Sequence, residues 1–390
     1  MDLVVQRNIE LVKASLDNST FQEELTIEDY YVARANHISG MVFKTIDKTN
    51  QNEKVYKLFQ EDYYQYIRKD EIQQLQINEL RKIFNDNNID FIFLKGSYLK
   101  QLYPETYMRS MGDIDILVRK EKMKEIHEIL SQYNYKNWNN STNHDCFVKD
   151  KVNVEIHPKL DSEFSDEYKD LFFKPWEYVK KINKNEYQLL PEYNFFYQLY
   201  HMIKHLYHSG VGFRTIVDIY LFLKNNHKNF NENTYSIIYN AFPKKEFVQN
   251  IISLVNNLFQ VNLLSDYIKS DKVNQNVMQN FISYLFASGI HGIAEGHNLF
   301  IGGMASQNKS NRFILITKFK FLFSKTFLSY NLMRGLYPYL NKYKFLLPIA
   351  WLQRLFKLIF KKSSRRKLKR FSANKSQILE VENLFKNIGI

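Results

Sequence analysis

The six residues "DIDILV", Asp113 to Val118, limit what this chain can fold into more than any other stretch. In a β-strand successive side chains alternate between faces, so Asp113 and Asp115 point one way while Ile114, Ile116 and Val118 pack on the other. Two carboxylates a few ångströms apart repel each other unless they are protonated or bridged by a cation. A carboxylate beside a strand core is also costly unless something binds it. The strand therefore calls for a shared proton or a bound cation.

The flanking segments indicate what else binds there. "IDFIFL" reads as a short, fully apolar strand, followed by a Gly96-Ser97 turn and a short helix towards Tyr103 that Pro104 closes. A glycine after a strand lets the backbone approach a ligand, and the helix start that follows favours an anion. Ser97 adds a hydroxyl for a phosphate oxygen. Lys95 and Arg109 bracket the turn with positive charge, and arginine suits bidentate phosphate contact. In "VNVEIH" the residues Val152, Val154 and Ile156 form an apolar face, so Glu155 lies opposite them between Asn153 and His157. If this strand pairs beside "DIDILV", Glu155 completes a three-carboxylate cluster. Oxygen-only ligands with room for waters and phosphates are what magnesium prefers, and three carboxylates can hold two ions. On this reading the turn holds a triphosphate and the aspartates hold its magnesium. His157 is either a partner of Glu155 or a contact to the acceptor.

Around this centre the chain reads as α+β: a small mixed β-sheet core flanked by N-terminal helices and a larger C-terminal helical domain. Residues 1–88 carry helical periodicity that stops at "NDNN". The core spans 89–190, with an alternation β-α-β-α-β-β over 89–160 and a hairpin turned at Asp150-Lys151. A helical domain follows over 191–335, opening at Pro191, and basic amphipathic helices occupy 336–390. His201, His205 and His208 share helical spacing but lack an acidic companion in their stretch, so they read as packing or hydrogen-bonding groups more readily than as metal ligands.

The residues "FLKGSYL…MRSMGDIDILV…VNVEIH" resemble the nucleotidyltransferase fold of the DNA polymerase beta superfamily, and within it the uncharacterised bacterial nucleotidyltransferases. The similarity extends through "LYHMIKHLYHSGVGFRTIVDIYLFL" and to "YPYLNKYKFLLPIAWLQRLFK", from about residue 70 onward. Two features fit the narrower family better than the general superfamily: fifteen residues separate Ser97 from Asp113, and Lys95 stands where an apolar residue is common. The resemblance implies metal-binding carboxylates at Asp113, Asp115 and Glu155 and a triphosphate turn at Gly96 and Ser97. It also implies that His205, Arg214 and Asp218 help close the nucleotide site. The implied reaction is transfer of a nucleoside monophosphate to a hydroxyl or phosphate acceptor, small molecule or macromolecule, with release of pyrophosphate. The reading from a different class is a catalytically inactive nucleotide sensor or membrane-associated scaffold on the same fold.

Charge asymmetry bears on partners. Eighteen of the chain's 54 Lys and Arg, and none of its 41 Asp and Glu, lie between Gly296 and Leu379. In "PIAWLQRLFKLIFKKSSRRKLKR" Arg354, Lys357 and Lys361 share a helical stripe while apolar residues fill much of the rest. That pattern over residues 340–370 suits an anionic membrane surface, with a helix packed on the body as the plain alternative and nucleic acid as a weaker one. The single cysteine, Cys146, excludes an internal disulfide and a structural cysteine-zinc site. No run is long and apolar enough to span a bilayer and no signal peptide opens the chain, so the expectation is a cytoplasmic protein, peripheral at the inner face of the membrane.

Overall fold

The structure, a computed structural model, describes residues 2–140, 144–160, 166–208, 210–267, 274–290, 323, 327–328, 330–360 and 375–390. The whole of the basic run "KKSSRRKLKR", Lys361 included, thus lies outside the described residues, as do 291–322.

Three helices open the chain: α1 (Leu3–Leu16), α2 (Ile27–Ala35) and the single turn α3 (Ser39–Val42). The long α4 (Glu53–Asp86) starts at Asn52, whose side chain accepts from the Lys54 and Val55 N–H groups, and it stops in "NDNN", where Asn88 takes φ 53°. Then come β1 (Phe91–Phe93), the short α5 (Lys95–Leu99), β2 (Asp113–Val118), α6 (Met123–Gln132), and β3 (Lys136–Asn140), β4 (Asp145–Lys149) and β5 (Val152–His157). After α7 (Asp166–Phe172) a second hairpin forms from β6 (Val179–Lys181) and β7 (Glu186–Leu189). The helical part contains α8 (Pro191–His208), α9 (Arg214–Asn226), α10 (Glu232–Ala241), α11 (Lys245–Phe259) and α12 (Gln275–Ser288). The last described helices are α13 (Tyr330–Leu336), α14 (Leu347–Phe360) and α15 (Lys375–Asn387).

All strands among the described residues join one mixed seven-stranded sheet in the order β3-β4-β5-β2-β1-β7-β6. It is larger than the sequence alternation suggests. β3 adds one edge beyond the expected hairpin, and β7 pairs in parallel with β1, bringing β6 with it. The expected hairpin is present: Lys149 pairs with Val152, and Asp150 and Lys151 turn the chain with φ 50° and 65°.

The sheet separates two cores. On one face Ile114, Ile116 and Val118 of β2 and Val152, Val154 and Ile156 of β5 pack with Ile77, Leu80 and Phe84 of α4 and Ile126, Ile129 and Leu130 of α6. On the other, Ile92, Leu94 and Leu117 join a core that includes Phe195 and Phe196 of α8 and Phe222 of α9. The polar residues of β2 and β5 share this second face, next to the helices.

Candidate active site

β2 and β5 run parallel, and the register sets Asp113 beside Asn153, Asp115 beside Glu155 and Leu117 beside His157. Asp113, Asp115 and Glu155 are therefore neighbours on one face, the placement that period-2 alternation requires of them.

The site supplies its own countercharge. Lys95 Nζ lies 2.7 Å from Asp115 Oδ1, and His157 Nε2 lies 2.9 Å from the same oxygen. His157 Nε2 is also 3.4 Å from Glu155 Oε2, and His144 Nε2 is 3.3 Å from Glu155 Oε1. Burial disfavours the charged form of Asp115, but Lys95 and His157 overcome it and hold the carboxyl well below the usual range. Burial likewise lowers His157, and its bonds to Asp115 and Glu155 reverse that, leaving it above its ordinary value. Asp113 differs. Burial and then the charges on Asp115 and Glu155 push it up to about 7, against the pull of Lys95 and His157. One carboxyl of the cluster is thus poised to exchange a proton for a cation near neutral pH.

The turn after β1 is built around close approach. Leu94 N–H donates to Asp115 O at 3.0 Å, and Lys95 then takes φ 46°, a left-handed conformation that costs a side-chain-bearing residue about 1–2 kcal/mol. That twist aims Lys95 at Asp115. A Cβ on Gly96 would sit 2.8 Å from Arg109 Nη1 and 3.0 Å from Met111 Cβ, so only glycine fits between the turn and the loop before β2. The Ser97 hydroxyl is buried and has no hydrogen-bond partner in the fold.

Arg109, expected at the phosphates, lines the cleft and is also tied to the helical part. Its Nε and Nη2 grip Asp218 of α9 at 2.7 and 2.9 Å, and Tyr103 donates its hydroxyl to the same carboxylate at 2.8 Å. Arg214 Nη1 donates to Ser110 O at 2.6 Å. Arg109 thus fastens the loop before β2 to the helical part, and two of its nitrogens are already taken. A cleft beside the carboxylates is lined by Lys95, Arg109, Gln198, His201, His205 and Arg214. His201 and His205 lie 3.2 Å apart through their Nε2 atoms, and burial, reinforced by His205, holds His201 well below its ordinary value, so this pair joins the cleft wall through a mutual hydrogen bond. Of the helical residues implied by the family resemblance, His205, Arg214 and Asp218 all reach this cleft.

His144 is the group that motif reading passed over. It precedes β4, and continuing the hairpin register by one pair from Asp145–Ile156 sets it against His157, with ring centroids 5.0 Å apart.

A mixed sheet with paired carboxylates on adjacent parallel strands, a glycine-serine turn and a helical wall is the architecture of a nucleotidyltransferase. The chain belongs to the family described as uncharacterised nucleotidyltransferase, which it matches over residues 28–260. The matched span begins well before residue 70 and takes in α4, the sheet and α8 to α11; the basic C-terminal segment lies beyond it. Comparison with curated proteins and with solved structures gives no match.

Proposed function

We propose that the protein transfers a nucleoside monophosphate from a nucleoside triphosphate to a hydroxyl or phosphate acceptor, with magnesium held by Asp113, Asp115 and Glu155. The observation that carries this reading is the shared face of these three carboxylates, fixed by the β2–β5 register. The donor set is all oxygen, which suits magnesium, and the partnerless Ser97 hydroxyl is a polar group awaiting a ligand oxygen. When bound, the ions would neutralise charge on the triphosphate and activate the attacking oxygen. The chain's own contribution is positioning: the Gly96 turn brings backbone close to the phosphates, Lys95 supplies a cation, and the α8–α9 wall bounds the cleft. The test incubates the protein with magnesium and each α-labelled nucleoside triphosphate, with and without cell extract. Label passing into an acceptor with pyrophosphate release is expected. Nucleotide binding without transfer in any combination would move the protein to the sensor reading.

Magnesium affinity should track Asp113. A proton on this carboxyl competes with the ion, so affinity is expected to rise about tenfold per pH unit up to about pH 7 and level off above it. Calorimetric titration between pH 5.5 and 8.5 checks this, and a pH-independent affinity would remove Asp113 from the ligand set.

We further propose that α14 lies on an anionic membrane surface. Ala350 is buried and Trp351 donates its indole N–H to Leu328 O, so one side of α14 packs on a small core with Met333, Tyr337 and Leu340. The exposed side is apolar as well: Phe345, Ile349, Leu352 and Phe356, spaced by four, three and four residues, are 75%, 49%, 55% and 61% exposed. Lys342, Lys344 and Lys357 flank them, within a segment that carries no acid. An apolar stripe with basic flanks and no opposing acid complements anionic lipid. The proposed contact is peripheral, at the membrane's inner face; among the described residues no helix is long and apolar enough to cross a membrane. Leu352→Glu with Phe356→Glu is expected to weaken cosedimentation with phosphatidylglycerol vesicles at least about tenfold. Unchanged sedimentation, or equal binding to phosphatidylcholine vesicles, would remove the membrane role.

A further inference from the structure

The Glu155 end of the site contains more than an oxygen cluster needs. One ligand atom from each of His144, Glu155 and His157 lies within 4.8 Å of the others. Both imidazole Nε2 atoms approach different oxygens of the same carboxylate, at 3.3 and 3.4 Å. Neighbouring ligands on a tetrahedral ion with bonds of about 2.0–2.2 Å stand at roughly this separation. Glu155 and His157 stand on β5 and His144 immediately precedes the adjacent β4, so the three donors come from one hairpin. His144 and Glu155 keep 26% and 21% of their side chains exposed, which leaves an entry path.

Magnesium takes oxygen ligands and has no use for two imidazoles. Nitrogen donors favour later divalent ions, with zinc and cobalt well above magnesium. Asp115 Oδ1, 2.9 Å from His157 Nε2 and 2.7 Å from Lys95 Nζ, stands at the boundary between the two ends of the cluster. We propose that His144, Glu155 and His157 form a binding site for one nitrogen-preferring divalent cation of the zinc class, its remaining positions open to water. The Asp113 end is left to the magnesium that accompanies the nucleotide. The proposal shares residues with the nucleotidyl-transfer reading and rests on it only for the division of labour between the two ends.

The test uses cobalt(II) as a spectroscopic stand-in on the full chain freed of metal by chelation, with no nucleotide present. One equivalent should bind, giving the intense visible bands of a four- or five-coordinate site. His144→Ala and His144→Gln should each weaken binding at least tenfold, whereas Asp113→Asn should leave the cobalt affinity within about twofold. Magnesium affinity should be unchanged by the His144 variants. Pulsed paramagnetic resonance with manganese(II) should show nitrogen coupling that His144→Gln diminishes. No cobalt binding, a weak octahedral spectrum, or equal affinity in wild type and both His144 variants would overturn the proposal. Failure of the transfer assay would leave these readouts untouched, so the two claims fail separately.

Discussion

Asp113→Asn is expected to abolish transfer and to leave a protein that is no less stable, because this carboxylate is held in place against its own repulsion. Burial and the charges on Asp115 and Glu155 disfavour its ionised form, and its folded value of about 7 stands above the ordinary 3.8. A raised acid binds its proton more tightly in the folded state. Folding stability is therefore intact below about pH 4 and falls as pH rises from there through 7. Asparagine carries no such penalty. The variant should match wild type at pH 4 and melt several degrees higher at pH 8 without metal, while losing transfer on the order of a thousandfold. Asp115→Asn should behave in the opposite way for stability, since it removes the negative charge that Lys95 and His157 share. Wild-type transfer rates in Asp113→Asn would eliminate the proposed chemistry. Lost transfer accompanied by a lower melting point at pH 8 would show that Asp113 is a structural residue whose loss disturbs the fold.

How much of this was legible beforehand depends on how far each interaction reaches along the chain. The facing of Asp113, Asp115 and Glu155 follows from strand alternation alone, and the sheet needed only to place two such strands side by side. The hairpin turn at Asp150-Lys151 was readable as well, and it contained more than a motif reading extracts. Once Lys149 is opposite Val152, counting outward puts Cys146 across from Glu155 and His144 across from His157. His144 was thus recoverable from register, though no pattern names it. The second hairpin was harder. β7 pairs with β1 nearly a hundred residues away, and the polar-apolar alternation of "EYQL" is only four residues long, too short to announce a strand inside a sheet. Gly96 illustrates a different limit. Its position after a strand suggests approach to a ligand, whereas the crowding visible in the fold comes from Arg109 and Met111. The reach of Arg109 to Asp218 spans 109 positions and leaves no local trace, so sequence assigned the arginine to phosphate.

That long-range pair underlies the second large effect. Arg109 and Asp218 keep only 8% and 7% of their side chains exposed, and the fork between them is bidentate. Asp218→Ala would leave the guanidinium and the Tyr103 hydroxyl buried without their acceptor. Removing one partner of a buried pair costs about 3–5 kcal/mol, far more than the pair contributes relative to apolar replacements of both. Arg214 enlarges the effect: burial and then Arg109 already depress its pKa, and Asp218 is the carboxylate that offsets this. Denaturant unfolding should therefore show Asp218→Ala destabilised by about 3–5 kcal/mol, while Arg109→Met with Asp218→Leu recovers most of the loss. A single-variant cost below about 1 kcal/mol would mean that the loop before β2 holds without the clamp. The double variant also separates fold from function, because Arg109 Nη1 backs the Gly96 turn. If that contact positions the turn for the triphosphate, the restored fold should still bind nucleotide more weakly than wild type. Equal nucleotide affinity would confine Arg109 to joining the sheet and the helices.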